Sequence, residues 1–175
     1  MHIANITTAS LDDRVEPVDL AQSPGDIVIL SFSDSDLNTL AGAHAAAGDL
    51  PSLRLAALND LRHPMSVDLW LDTVAAGAKV ILIRLLGGYE WWRYGCEQVA
   101  ALARRRGIAL ALLPGECRDR DPDLARLSTV PAAEQAALLA CFREGGTANM
   151  AVLLARLATL SGGAPVNAPT PKTMP

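Results

Sequence analysis

Lys79-Val-Ile-Leu-Ile-Arg-Leu-Leu-Gly-Gly88 is apolar at six of its first eight positions and then stops on two glycines. An apolar run without alternation is what a strand covered on both faces requires, and that environment is the rule in parallel sheets flanked by helices. Asp26-Ile-Val-Ile-Leu-Ser-Phe32 repeats the pattern upstream, and Ile108-Ala-Leu-Ala-Leu-Leu113 repeats it downstream before Pro114. His2–Thr7 and the weaker Ser52–Leu58 bring the expectation to about five mostly parallel strands.

Between these runs the periodicity changes to that of helices, as strand–helix–strand units demand. Ser35 is expected to cap a helix over Asp36–Ala47, with Gly48 turning out in the left-handed conformation. Pro64 disfavours helical geometry at His63, so a second helix is expected after Ser66, running to about Ala76. From Glu90 to Arg106, Trp92, Cys96, Val99 and Ala103 mark one helical face; Arg104–Arg106 suit the negative end of the dipole before Gly107. Pro131 opens a helix through Phe142, Gly145-Gly146 interrupts it, and Ala148–Leu160 resumes it as two extra C-terminal helices. Thr8–Gly25 reads as a loop with a helical turn. From residue 162 onward six of fourteen residues are Gly or Pro, so 1–161 is expected to be one α/β domain and 162–175 a linker or disordered tail.

The 175 residues are half hydrophobic and 19% charged, enough for one core and too apolar for disorder throughout. Only 4% are aromatic, so the core is expected to be mostly Ala, Leu, Val and Ile. A net charge of −4 supplies no field for gathering phosphates, which disfavours nucleic acid and anionic membrane surfaces as partners. No apolar run approaches the roughly 20 residues that cross a bilayer, and Met1–Ser10 lacks signal-peptide character, so a cytoplasmic location is expected. Cys96, Cys117 and Cys141 are odd in number and widely spaced, which fits neither a disulfide framework nor a zinc site.

In open parallel sheets ligands meet the carboxyl ends of the strands, which singles out four places. Ser33 and Asp34 lie where the second run leads into a helix; they suit an anion at the helix start or, more plainly, capping. His63 follows the third run and reads as a general acid/base, a metal ligand lacking neighbours, or a structural hydrogen-bonding imidazole. Gly87, Gly88, Tyr89, Trp91, Trp92 and Tyr94 follow the fourth run in a chain poor in aromatics. They suit a flat apolar ligand such as a macrocycle, or a partner protein; alternatively Trp92 is core, Tyr89 and Trp91 a half-buried rim, and the glycines a tight turn. Glu116 follows the fifth run, at the start of a charged stretch through Asp123 that reads as surface loop. Neither nucleotide-binding glycine pattern nor a nucleophile elbow occurs, so the residues alone nominate no catalytic group and no metal ligand.

Four segments nevertheless resemble one family closely. They are Glu16-Pro-Val-Asp-Leu-Ala-Gln-Ser-Pro-Gly-Asp-Ile-Val-Ile-Leu-Ser-Phe-Ser-Asp-Ser-Asp36, Leu61-Arg-His-Pro-Met-Ser-Val-Asp-Leu69, Arg84-Leu-Leu-Gly-Gly88 with Trp92-Arg-Tyr-Gly95, and Phe142-Arg-Glu-Gly-Gly146 with Asn149. In this order they resemble the N-terminal region of the large subunit of aerobic cobaltochelatase, the CobN type, within the magnesium chelatase large-subunit superfamily.

The resemblance implies a flavodoxin-like, doubly wound three-layer sandwich as the head domain of a tetrapyrrole-binding subunit. The implied enzyme is an ATP-dependent ligase that inserts Co(II) into hydrogenobyrinic acid a,c-diamide in cobalamin biosynthesis. AAA+ partner subunits of the CobS and CobT type would hydrolyse the ATP with Mg, and the remainder of the large subunit would be a further partner. Family members are many times longer, and their metal and macrocycle chemistry is expected beyond Pro175, so this stretch alone is expected to hold no cofactor and to be inactive. A clipped or split chain is the corresponding expectation. Trp70-Leu71 and Glu116-Cys117 depart from the family pattern, so no role is carried over to those side chains.

Overall fold

The structure is a computed structural model that describes residues 16–115, 121–162 and 171. Four strands, β1 (Ile27–Ser31), β2 (Leu53–Ala57), β3 (Val80–Leu85) and β4 (Ala109–Pro114), form one sheet in the order β2-β1-β3-β4. Every pairing is parallel, with Ile29 opposite Leu55 on one side and Leu82 on the other. The order reverses at β1, an arrangement consistent with the flavodoxin-like fold that the resemblance implies. The expected first strand, His2–Thr7, lies outside the described residues, as do Glu116 and the tail residues 163–170 and 172–175.

Helices cover both faces, giving three layers. On one face α2 (Pro64–Thr73), α4 (Arg93–Arg106) and α5 (Pro122–Leu127) pack Val67, Trp70, Cys96, Val99, Leu124 and Leu127 against Val28, Leu30, Ile81, Ile83 and Leu112. On the other, α1 (Asp34–Ala47), α6 (Ala132–Glu144) and α7 (Gly146–Ser161) cover Ile27, Ile29, Val80, Leu82 and Leu113. Successive strand residues alternate between these two cores, which is why the sequence runs show no alternation of apolar and polar positions. The edge strand β2 is guarded: Gln22 donates to the Leu55 carbonyl, and the Arg54 guanidinium donates to Ser23 and Pro24, tying residues 22–24 alongside it.

Several boundaries differ from the expectations, each for a local reason. Ser33, not Ser35, caps α1: its hydroxyl accepts from the Asp36 amide at 3.3 Å, and the helix starts two residues sooner. The expected αL turn at Gly48 is present, with φ +78°. The second helix begins at Pro64 rather than after Ser66, because His63 Nδ1 accepts from the Met65 amide at 3.1 Å while Pro64 takes the first helical position, where no donor is needed. It ends at Thr73, followed by a short 3-10 turn over Ala75–Gly77. The stretch from Glu90 to Arg106 is not one helix: α3 (Gly88–Trp91) stops at Trp92, whose φ of −133° and ψ of 40° break the geometry before α4. Asp121 caps α5 by accepting from the Asp123 and Leu124 amides, so part of the expected charged loop is helical. The C-terminal pair extends to Glu144 and Ser161.

The two C-terminal helices are locked by a buried ion pair. Arg156 donates from Nε and Nη2 to the two carboxylate oxygens of Glu134, both at 2.8 Å, and the side chains are only 10% and 7% exposed. Removing one partner leaves the other charge stranded in the core, whereas replacing both with apolar groups removes the desolvation cost. Glu134→Ala is therefore expected to lower unfolding stability by about 3 kcal/mol, and the Glu134→Leu/Arg156→Met double variant to recover most of it, measured by urea denaturation. Burial raises the Cys96 thiol to about 12 and the Cys141 thiol to about 11, against an ordinary value of 9.0. The unfolded chain releases these protons first, so stability is retained below pH 9 and falls as pH rises from 9 through 12. Denaturation midpoints across that range, with Cys96→Ala as control, are expected to show the fall and its reduction in the variant.

Candidate functional site

Reversal of the strand order at β1 leaves a crevice between the loops that follow β1 and β3, since one chain departs to each side of the sheet. An open cleft of about 950 Å³ occupies this place, lined by Phe32, Asp34, Ala57, Asn59, Asp60, Leu86, Gly87 and Trp91. All eight lie at or within six residues past the carboxyl end of β1, β2 or β3. Its volume lies within the range of about 300–1,000 Å³ usual for small-molecule sites.

Each wall follows from its local sequence. Gly87 turns the chain out of β3 with φ +87°, a conformation that an L side chain resists, and Gly88 follows at φ +73°. This tight turn starts α3 beside the strand end and leaves Leu86 at 47% and Trp91 at 42% exposure on the rim. The Arg62 guanidinium lies over the Trp91 ring, 5.9 Å from its centroid. Opposite, Phe32 leaves β1 and settles against Gly115, where a Cβ would come within 2.3 Å of the phenyl ring. Beneath Phe32, Arg84 is held between two rings, 5.2 Å from Phe32 and 4.7 Å from Phe142, and donates to Asp36 at 2.7 Å. Asp36 also accepts from the Ser31 hydroxyl, so β1, β3, α1 and α6 converge under the cleft wall.

The residues singled out in the sequence separate into three groups. Asp34, Gly87 and Trp91 come together in the cleft. Ser33 and His63 are helix caps, and Gly88 and Tyr89 belong to the α3 turn. Tyr89 is buried rather than half-buried: its hydroxyl donates to Glu97, which holds the phenol above its ordinary range and Glu97 below its own. Trp92 is core, as one of the alternatives had it, with its indole N–H donating to the Leu61 carbonyl at 2.8 Å. Tyr94 points away to Asp68 at 2.5 Å, which raises its phenol. Glu116 lies outside the described residues.

Phe32, Asn59, Asp60 and Leu86 line the cleft without having been singled out as rim residues. In the loop after Ser52–Leu58 the sequence singles out the imidazole of His63, whereas Asn59 and Asp60, closer to the strand end, are the ones that reach the crevice. Among the described residues no group of three or more His, Cys, Asp and Glu side chains converges. What the cleft offers chemically is an apolar wall with two carboxylates and one carboxamide, a surface for binding.

No family model matches the chain. It is 40% identical over 164 residues to the aerobic cobaltochelatase subunit CobN of a Sinorhizobium species, which covers 94% of this chain and 13% of that protein. The CobN subunit of Pseudomonas aeruginosa is 45% identical over 131 residues, covering 74% of this chain and 10% of the relative. Among solved structures, the catalytic subunit of cobaltochelatase from Mycobacterium tuberculosis superposes with a TM-score of 0.67 at 28% identity, over 86% of this chain and 12% of that one. Fold, sequence and the ordered motifs agree in their likeness to the CobN subunits of aerobic cobaltochelatase, and the chain spans about an eighth of the length of the curated relatives it matches.

Proposed function

We propose that this chain is the head domain of the tetrapyrrole-binding subunit of a cobaltochelatase, with residues 1–161 forming the domain and 162–175 a linker. The whole enzyme, in this reading, inserts Co(II) into hydrogenobyrinic acid a,c-diamide in the cytoplasm during cobalamin biosynthesis. ATP is hydrolysed by AAA+ partner subunits of the CobS and CobT type, and cobalt is substrate. The observation that carries the reading is 40% identity to a CobN subunit across 94% of the chain.

Insertion needs a held macrocycle, a base for the pyrrolic protons and a metal stripped of water. The cleft supplies binding surface without such a set of groups, which supports a head domain that docks and positions while the chemistry takes place elsewhere in the subunit. One observation favours docking over direct contact with the macrocycle. Asp34 and Asp60 line the cleft, and the precursor is itself an acid whose carboxylates these side chains repel.

Trp91, exposed on the cleft rim, is the reporter. Titration of the 175-residue protein with hydrogenobyrinic acid a,c-diamide is expected to leave tryptophan emission unchanged after inner-filter correction. The same protein with Co(II) and ATP is expected to give no metallated product above the uncatalysed rate. Saturable quenching that disappears in Trp91→Ala would overturn the docking role, and turnover by this chain alone would overturn the head-domain reading.

A further inference from the structure

The cleft at the β1/β3 reversal combines features that a single kind of occupant satisfies. Its walls are apolar, with Phe32, Ala57, Leu86 and Trp91, and two of them, Leu86 and Trp91, stand about half exposed. Exposed large apolar side chains gathered at a concave site mark a recognition surface, and Trp is the side chain most enriched among interface anchors. Its polar lining is acidic: Asp34 enters from the first turn of α1 and Asp60 from the 3-10 turn after β2. Both are exposed, and among the described residues neither is held in an ion pair. Asp36, by contrast, is neutralised by Arg84.

We propose that this cleft receives an arginine-bearing segment of a partner protein. An arginine side chain is amphipathic along its length: the three-carbon stem covers apolar surface while the planar guanidinium binds carboxylates in a fork and stacks on aromatic faces. Leu86 and Phe32 take the stem and its flanking residues, and Asp34, Asp60 and Asn59 take the cationic tip. The Trp91 ring already accommodates a guanidinium, that of Arg62 at 5.9 Å. An anionic occupant would lose Coulomb energy against two carboxylates, and a purely apolar one would leave them desolvated and unpaired. The inference deepens the docking reading of this cleft and rests on it.

The probe is acetyl-Leu-Arg-Leu-Arg-amide, titrated into the ¹⁵N-labelled 175-residue protein, with acetyl-Leu-Glu-Leu-Glu-amide as control. Saturable shifts at the Asp34, Asn59, Asp60 and Gly87 amides and the Trp91 indole are expected with the arginine peptide and not with its acidic counterpart. Asp34→Asn/Asp60→Asn is expected to weaken that peptide about tenfold. Asp49→Asn/Asp72→Asn, which changes net charge equally at exposed positions outside the cleft, is expected to leave it unchanged. Circular dichroism checks that both variants fold. No shifts at the cleft, equal shifts with both peptides, or equal weakening in both double variants would overturn the inference. The corrinoid titration tests the underlying docking role with a different ligand and readout, so the two failures are separable.

Discussion

A guanidinium sits where the sheet has no room for an unpaired charge, and much of the carboxyl edge is arranged around it. Arg84 is the one charged residue in β3, placed directly opposite Ser31 of β1 and only 14% exposed. Its charge is met by Asp36 at 2.7 Å, and its faces by the Phe32 and Phe142 rings. Asp36 in turn is oriented by the Ser31 hydroxyl, and Ser31 also accepts from the Ser33 amide. Each link fixes the next. The Ser33 hydroxyl caps α1, the cap fixes where α1 begins, and that beginning sets Asp34 on the cleft wall. Arg84 Nε remains buried without a hydrogen-bond partner, so the pairing of this guanidinium is incomplete.

The sheet itself was legible because β1, β3 and β4 lie inside two cores. A strand buried on both faces is apolar along nearly its whole length, and Ile27–Ser31, Val80–Leu85 and Ala109–Pro114 announce themselves that way, Ser31 and Arg84 at the carboxyl edge apart. The edge strand β2 is half-buried at most positions, and its sequence, Leu-Arg-Leu-Ala-Ala, reads correspondingly faintly. Strand order was not legible at all, since nothing in a local run states its neighbours. Helix starts were misread where a side chain competes with the obvious signal. Two serines, Ser33 and Ser35, stand at the start of α1, and it is the Ser33 hydroxyl that accepts from the Asp36 amide; at α2 the His63 imidazole caps a helix whose start is expected only after Ser66.

The candidate site was legible as a place and not as a set of side chains. The rule that crevices form past the carboxyl ends of strands picked out the three loops that line the cleft, while the fourth place, at Glu116, lies outside the described residues. Within each loop, the tertiary course of the chain and not the chemistry of the side chain decides which residues line the cleft: Asp34 does and Ser33 does not, Trp91 does and the nearer Tyr89 does not. His63 is five residues past its 3-10 turn's first residue and has turned into α2; Asn59 and Asp60 sit within that turn. Tyr89 and Trp91 are two residues apart in α3, yet one is buried against Glu97 and the other half exposed, a difference that α3's packing decides and its sequence does not.

The break between α3 and α4 is what leaves one aromatic exposed on the cleft rim. Had the helix run on unbroken from Glu90, Trp91 and Trp92 would stand about 100° apart on one helix, with no reason for the first to face the strand ends. At Trp92 the backbone leaves helical geometry, and its indole is carried inward, edge-on to Trp70 at 6.5 Å and bonded to the Leu61 carbonyl. Gly95 permits this: a Cβ there would come within 2.1 Å of the Trp92 ring. The inward tryptophan anchors the loop that carries Asp60 and Arg62, and the outward one meets that same loop across the cleft through Arg62. Adjacent tryptophans thus serve opposite ends, one tying the wall to the core and the other standing exposed on its rim. The geometry of the cleft therefore depends on the core beneath it, and a recognition surface that is mostly exposed is held in shape by side chains that are not.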